Sequence, residues 1–212
     1  MKSRAVSAEH AASPLGTRRL SLRVLPRAFY DRETELVARD LIGCILECRH
    51  NGVRCRGIIS ETEAYLGEHD PACHAAVGRT ARTAGLYGPP GTAYVYFIYG
   101  MYWCVNAVTR AEGLPSAVLI RGVLPLEGLD AMRARRSSRA SRRIADHALA
   151  DGPGKLCVAF GITGPRHHGA DLVRGDTLRI LRGAPVDDAD VAITPRIGIS
   201  KAKDWPLRWL LR

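Results

Sequence analysis

Apolar and polar positions change period repeatedly along the chain, and each change marks an element. In RETELVARDLI (32–42), Leu36, Val37, Asp40 and Leu41 fall at helical spacing and predict a short amphipathic helix with Asp31 as N-cap. Alternation then takes over. Residues 42–48 and 53–64 read as two strands, and His50-Asn51-Gly52 between them as a hairpin turn, because Asn-Gly supplies the positive φ angles of a tight connection. Gly-Pro-Pro-Gly at 88–91 is a loop, 93–98 an apolar and aromatic strand, and after Tyr99-Gly100 the pattern resumes over 101–109. Residues 117–124 read as a buried strand, and 126 to about 150 as helical. Asp151-Gly152-Pro153-Gly154 precedes a short helix, 155–160, which Gly161 terminates; beyond it come Gly, Pro and short strands such as 177–181. There is no internal repeat. The expected fold is α+β, a single mixed domain around a β-sheet with peripheral helices.

Residues 1–23 lack any such period. They are small, polar and basic, without the apolar stretch of an export signal, so they read as a disordered basic tail ahead of one domain at 24–212. A chain of 212 residues with 46% hydrophobic and 25% charged side chains is globular in composition. No run of residues reaches the ~18 consecutive apolar positions of a membrane span. The six cysteines contain no C-x-x-C pair, which supports neither a disulfide scaffold nor a zinc site, and they read as reduced, buried thiols.

Charge adds a partner. The formal net charge is +10, and all but four of the 31 cationic side chains are arginine. A planar guanidinium fork grips two phosphate oxygens at once, so the balance points to a polyanion. Six arginines (Arg133, Arg135, Arg136, Arg139, Arg142, Arg143) fall within eleven residues that hold no acid. Such a run is equally a solvated helix face or a phosphate contact. Lys155 follows Gly-Pro-Gly at a helix start, where backbone N–H groups face an anion, though without the spacing of a nucleotide-binding loop.

Two further constellations carry chemistry. In Glu61-Thr62-Glu63-Ala64-Tyr65, strand alternation puts Glu61, Glu63 and Tyr65 on one face: two carboxylates beside an aromatic wall, as water activation requires, although an isolated E-T-E is more often a solvated strand face. Seven of the 13 aromatic side chains fall between Tyr87 and Trp103. A sheet core accounts for Phe97, Trp103 and Tyr94, but not for Tyr99, which stands beside Gly100 at a hairpin tip, where an exposed ring suits stacking or wedging into a duplex.

Taken in order, ETEAYLG (61–67), His74, GPPGTAYVYFIYGMYWCVN (88–106), AVLIR (117–121), PLEGL (125–129) and GPGKLC (152–157) strongly resemble the alkyladenine (3-methyladenine) DNA glycosylase family, over residues 25 to 212. The resemblance implies a single mixed domain around a curved antiparallel sheet. It implies a monofunctional hydrolase of the N-glycosidic bond that flips alkylated or deaminated purines out of duplex DNA, as a monomer with no cofactor, no metal and no membrane. The setting it implies is the bacterial cytoplasm at the nucleoid, or the nucleus in a eukaryote. Residue by residue, Glu63 matches the general base and Arg121 the arginine that helps hold the water. Tyr65, His74 and Tyr96 match the side chains that sandwich the extruded base, Asn106 the asparagine that disfavours guanine's exocyclic amino group, and Tyr99 the plug left in the duplex. Arg139, Arg142, Arg143 and Lys155 remain phosphate candidates read from charge alone. Thr80-Ala81-Arg82-Thr83 stands where many bacterial relatives have Thr-Pro-Arg-Asn. A non-catalytic damage-binding module and a glycosidase of free nucleosides are the rival readings; the second needs neither Tyr99 nor the arginine run.

Overall fold

The computed structural model describes residues 23–137 and 144–212. Arg139, Arg142, Arg143 and all but the last residue of the expected tail lie outside the described residues. The Asn-Gly hairpin is present. Strands β1 (Ile45–His50) and β2 (Val53–Tyr65) pair antiparallel from His50↔Val53 to Ile45↔Ile58, with Asn51 at φ 49° and Gly52 at φ 76°. Strands β3 (Ala93–Ile98), β4 (Tyr102–Thr109) and β5 (Ser116–Glu127) follow as antiparallel neighbours. The sheet order is β3-β4-β5-β2-β1-β6, where β6 is Leu178–Leu181. β8 (Arg208–Leu211) joins β2 beyond the end of β1, and β7 (Val191–Thr194) pairs with β8. This is one α+β domain built on an eight-stranded antiparallel sheet that does not close.

Helices cover one face of the sheet. α2 (Thr34–Leu41) packs on β2, while α4 (Pro153–Phe160) packs on β4 and on α3 (Leu129–Ser137). Val37, Leu41, Met132, Leu156 and Phe160 meet Ile59, Val105, Val118 and Ile120 in the main core. Gly161 ends α4 in the left-handed conformation at φ 73°, and a four-residue helix, α5 (Gly164–His167), follows. All six cysteines are free and buried. Among the described residues no helix is long and apolar enough to cross a membrane.

Two sequence expectations are corrected. Asp31 does not cap α2. It ends a preceding turn of helix, α1 (Arg27–Tyr30), by giving its N–H to the Arg27 carbonyl; α2 begins after Glu33, with no side-chain cap, and Leu36 faces solvent. α1 follows Pro26, its extended N-cap, so Asp31 is taken up as the C-cap of a turn that the hydrophobic period does not show. The helical stretch read over 126–150 is present in part, as α3 and one later turn, but it begins later than expected. β5 runs on to Glu127, where Arg54 and Arg56 of β2 bind the Glu127 carboxylate across the ladder; Gly128 then turns the chain at φ 83° into α3. Between the residues not described and position 150, a three-residue turn, Asp146–Ala148, is helical.

Candidate active site

The site owes its face to an irregularity in β2. Up to Ile59 the odd positions Cys55 and Ile59 enter the main core. The ladder with β5 then slips between Ile59 and Glu61, which leaves Ser60 as an extra residue and reverses the parity. Beyond the slip Ala64 packs in the main core and Thr62 donates to the Ala38 carbonyl of α2 at 2.9 Å. Glu61, Glu63 and Tyr65 therefore face the opposite side. The strands alongside do the same: Val95, Val105, Val118 and Ile120 enter the core, while Tyr96, Cys104, Asn106, Leu119 and Arg121 line a cavity of ≈ 500 Å³.

The carboxylates meet Arg121 beside that cavity. Glu63 is fully buried: Oε2 accepts the Tyr65 hydroxyl at 2.8 Å, and Oε1 accepts the Ile197 N–H at 2.8 Å and lies 3.4 Å from Arg121 Nη1. Glu61 accepts from Nε of both Arg121, at 3.0 Å, and Arg208, at 2.7 Å, so it fixes the guanidinium that reaches Glu63. Burial works against the Arg121 charge, but Glu63 and Glu61 outweigh it and hold its pKa above the usual value. Burial and the neighbouring Glu63 carboxylate push the Tyr65 phenol well above its ordinary range, so it stays protonated as the donor to Glu63.

Aromatic rings form the rest of the wall. His74 opens a short helical turn over His74–Val77, and its ring stands edge-on to Tyr96 with centroids 4.5 Å apart. The Tyr94 hydroxyl donates to the Arg82 carbonyl at 3.2 Å, which leaves its oxygen to accept from His74 Nδ1 at 3.0 Å and assigns the Nδ1–H tautomer. Burial, with Arg82 nearby, lowers the His74 pKa, so its imidazole is neutral at physiological pH. Thr83 closes the turn that departs from the family pattern: its Oγ1 accepts the Thr80 N–H and donates to the Gly78 carbonyl. Asn106 is buried with Nδ2 given to the carbonyl of its cross-strand partner Tyr94 at 3.0 Å, which fixes the amide's orientation on the wall.

Tyr99 lies at the rim. It is 76% exposed, and it adopts φ 53°, a left-handed conformation unusual for a bulky side chain, with Gly100 following at φ 66°. Across the mouth, Gly154 lets the start of α4 reach the Tyr102 ring, where a Cβ would stand 2.9 Å from it. This close approach is one reason for the Gly-Pro-Gly sequence. The N-cap Gly152 makes no side-chain bond to the first helical N–H groups, and Lys155 binds Asp151 at 3.0 Å.

A sequence model of the methylpurine-DNA glycosylase family matches residues 28–212. The chain belongs to this family. Relatives named "Putative 3-methyladenine DNA glycosylase" include one from Carboxydothermus hydrogenoformans, 44% identical over 189 residues (89% of this chain and 95% of the relative). A second, from Methanocella arvoryzae, is 47% identical over 185 residues (87% and 89%), and a third, from Myxococcus xanthus, is 45% identical over 181 residues (85% and 84%). As a methylpurine-DNA glycosylase the protein is a hydrolase of N-glycosyl bonds in DNA repair.

In this glycosylase the predicted residues Tyr65, His74, Tyr96, Tyr99, Asn106 and Arg121 line one cavity and Glu63 lies buried behind Tyr65 and Arg121, while Lys155 stands outside the wall, paired with Asp151. Of the described arginines in the basic run, Arg133 binds Asp130 and Asp146, and Arg135 donates to the Ala159 carbonyl, so both are engaged within the fold. Sequence reading missed the C-terminal contribution. Ile197–Lys201 lines the cavity and supplies the N–H on Glu63, and Arg196 beside it forms a buried ion pair with Asp70. Some 126 residues separate that pair, and no local spacing announces it. Lys201, close to the C-terminus, also reaches the cavity wall.

Proposed function

We propose that the protein extrudes alkylated or deaminated purines from duplex DNA and hydrolyses their N-glycosidic bond, acting as a monomer and leaving an abasic site in an uncut strand. The observation that carries this reading is a fully buried carboxylate, Glu63, bonded to two side chains, Tyr65 and Arg121, of an aromatic cavity of ≈ 500 Å³. A base within a duplex is out of reach of such a group, so it must first be extruded at a cost of a few kcal/mol. Tyr65, His74 and Tyr96 offset that cost by stacking, worth about 1–3 kcal/mol per base. A cationic alkylpurine meets π faces and a neutral imidazole there, and the fixed Asn106 amide crowds the exocyclic amino group of guanine.

Glu63 Oε2 accepts the Tyr65 hydroxyl and keeps a lone pair to accept from a water. That water would reach the buried carboxylate from the cavity, past Tyr65 and Arg121, the two wall residues that touch it. Glu63 accepts the water's proton as its oxygen bonds to C1′. The C1′–N bond breaks, and its electron pair leaves with the purine, so a cationic alkylpurine departs as a neutral base. The balance requires water and nothing else.

Duplexes bearing 3-methyladenine, 7-methylguanine, hypoxanthine or ethenoadenine test the reading. Free base should appear while the strand stays intact until alkali is added, and borohydride should trap no covalent adduct. An adduct would mean attack by an amine. Lys201, on the cavity wall, is the residue to examine for it. Binding without base release would instead make the protein a recognition module, and preference for free nucleosides a nucleoside glycosidase.

The basic run makes a separate prediction. If Arg139, Arg142 and Arg143 touch phosphate, replacing them with glutamine flattens the log–log salt dependence of binding by about 0.9 per lost contact, on lesion and undamaged duplex alike. An unchanged slope returns the run to a solvated face.

A further inference from the structure

Beside the proposed catalytic groups stands an ionised pair to which the hydrolytic reading gives no task. Arg196 Nη1 binds Asp70 Oδ2 at 2.5 Å and Nη2 binds Oδ1 at 2.9 Å, with both side chains fully buried. Burial alone would raise the Asp70 carboxyl; Arg196 and the N–H groups of Leu66 and Ala72 outweigh it and hold the pKa below the usual value. Buried ion pairs are poor devices for stability, since apolar residues of equal volume serve a core as well. This one also leaves Arg196 Nε without a hydrogen-bond partner among the described residues. A guanidinium kept at that cost is held in place for its other contacts.

Those contacts converge on the site. Nη1 also donates to the Ala64 carbonyl at 3.0 Å, on the strand between Glu63 and Tyr65. The guanidinium carbon stands 4.7 Å from the centroid of the Tyr65 ring, while Arg196 itself forms no part of the cavity wall. The next residue, Ile197, gives its N–H to Glu63 Oε1. Asp70 carries the clamp onward, because its backbone carbonyl accepts the N–H of Cys73, the residue before His74.

We propose that Arg196, clamped by Asp70, is a positioning residue for hydrolysis: it fixes the Tyr65 ring and, through Ile197, the Glu63 carboxylate. The proposal rests on the hydrolytic role of Glu63. Arg196→Lys tests it, because lysine keeps the charge opposite Asp70 but has no planar fork to bridge two carboxylate oxygens, reach the Ala64 carbonyl and lie on a ring. Single-turnover excision on saturating lesion duplex should fall about tenfold, as small displacements of reacting groups do. In a Glu63→Gln background the same change should cost less than about twofold, because residues acting through one another are not additive.

A merely structural role would lower the folded fraction and reduce both backgrounds by one factor, which a thermal melt would register. Should Arg196→Lys fail to fold, Arg196→Met with Asp70→Asn removes both charges together and should give the same dependence on Glu63. Equal losses in both backgrounds, or a wild-type rate in a folded Arg196 variant, would overturn the proposal. Excision undiminished by Glu63→Gln alone would strike down the hydrolytic reading instead.

Discussion

Glu63→Gln should retain lesion binding and lower single-turnover base excision by about 10²-fold or more, the worth of a positioned general base. Glutamine fits the same space with its neighbours satisfied. Its amide oxygen takes over from Oε1, accepting the Ile197 N–H and facing Arg121; its NH₂ turns to the Tyr65 hydroxyl, which becomes the acceptor. The cavity and its rings are untouched, so affinity measures the pocket and rate measures the carboxylate. Glu61→Gln is the control. Glu61 accepts from Arg121 and Arg208 and not from the wall tyrosine Tyr65, so its loss loosens the Arg121 guanidinium without removing a base and costs much less than Glu63→Gln. Excision by Glu63→Gln within a few-fold of wild type, or an equal loss from both variants, would remove Glu63 from the role of base.

How much of this site is legible in the sequence depends on how far apart its parts lie. Alternation within Glu61–Tyr65 puts two carboxylates and a ring on one face, and the structure agrees. The slip at Ser60 decides which face that is, and it depends on the match between β2 and β5, more than 60 residues downstream. Tyr99 and Gly100 announce a tight turn by local chemistry alone, and the three-residue connection between β3 and β4 follows. Locally ambiguous segments fared worse. The arginine-rich stretch after Leu126 looks helical throughout, yet Glu127 is kept in strand by Arg54 and Arg56 from the other side of a ladder. Arg196 is the extreme case: one arginine among many in sequence, distinguished only by Asp70 and Tyr65 folded against it. The resemblance to known glycosylases supplied what spacing does not, namely roles for Asn106 and Arg121, each of which looks unremarkable within its own strand.

Tyr99→Ala should cost little folding stability and about 5- to 150-fold in excision from matched duplex, the equivalent of one stacking contact of about 1–3 kcal/mol. The ring is 76% exposed, so it buries little apolar surface in the fold. Its backbone is held at φ 53°, a conformation that costs a bulky residue of order 1 kcal/mol and that alanine would share. A side chain kept there contributes to something outside the domain. If the ring occupies the space an extruded nucleotide leaves, its removal shifts the flipping equilibrium back towards the stacked duplex. The loss should then track the cost of extrusion, greatest for a lesion that pairs well and least for a base with no partner. Comparing wild type with Tyr99→Ala on one lesion, in matched duplex and in single strand, isolates that dependence, because the pocket and Glu63 are common to both substrates. The single-strand penalty should fall to within about twofold, since extrusion is then nearly free. Equal penalties on the two substrates would place Tyr99 in the pocket's own chemistry, and a large fall in melting temperature would make it a packing residue; either result removes it from the duplex.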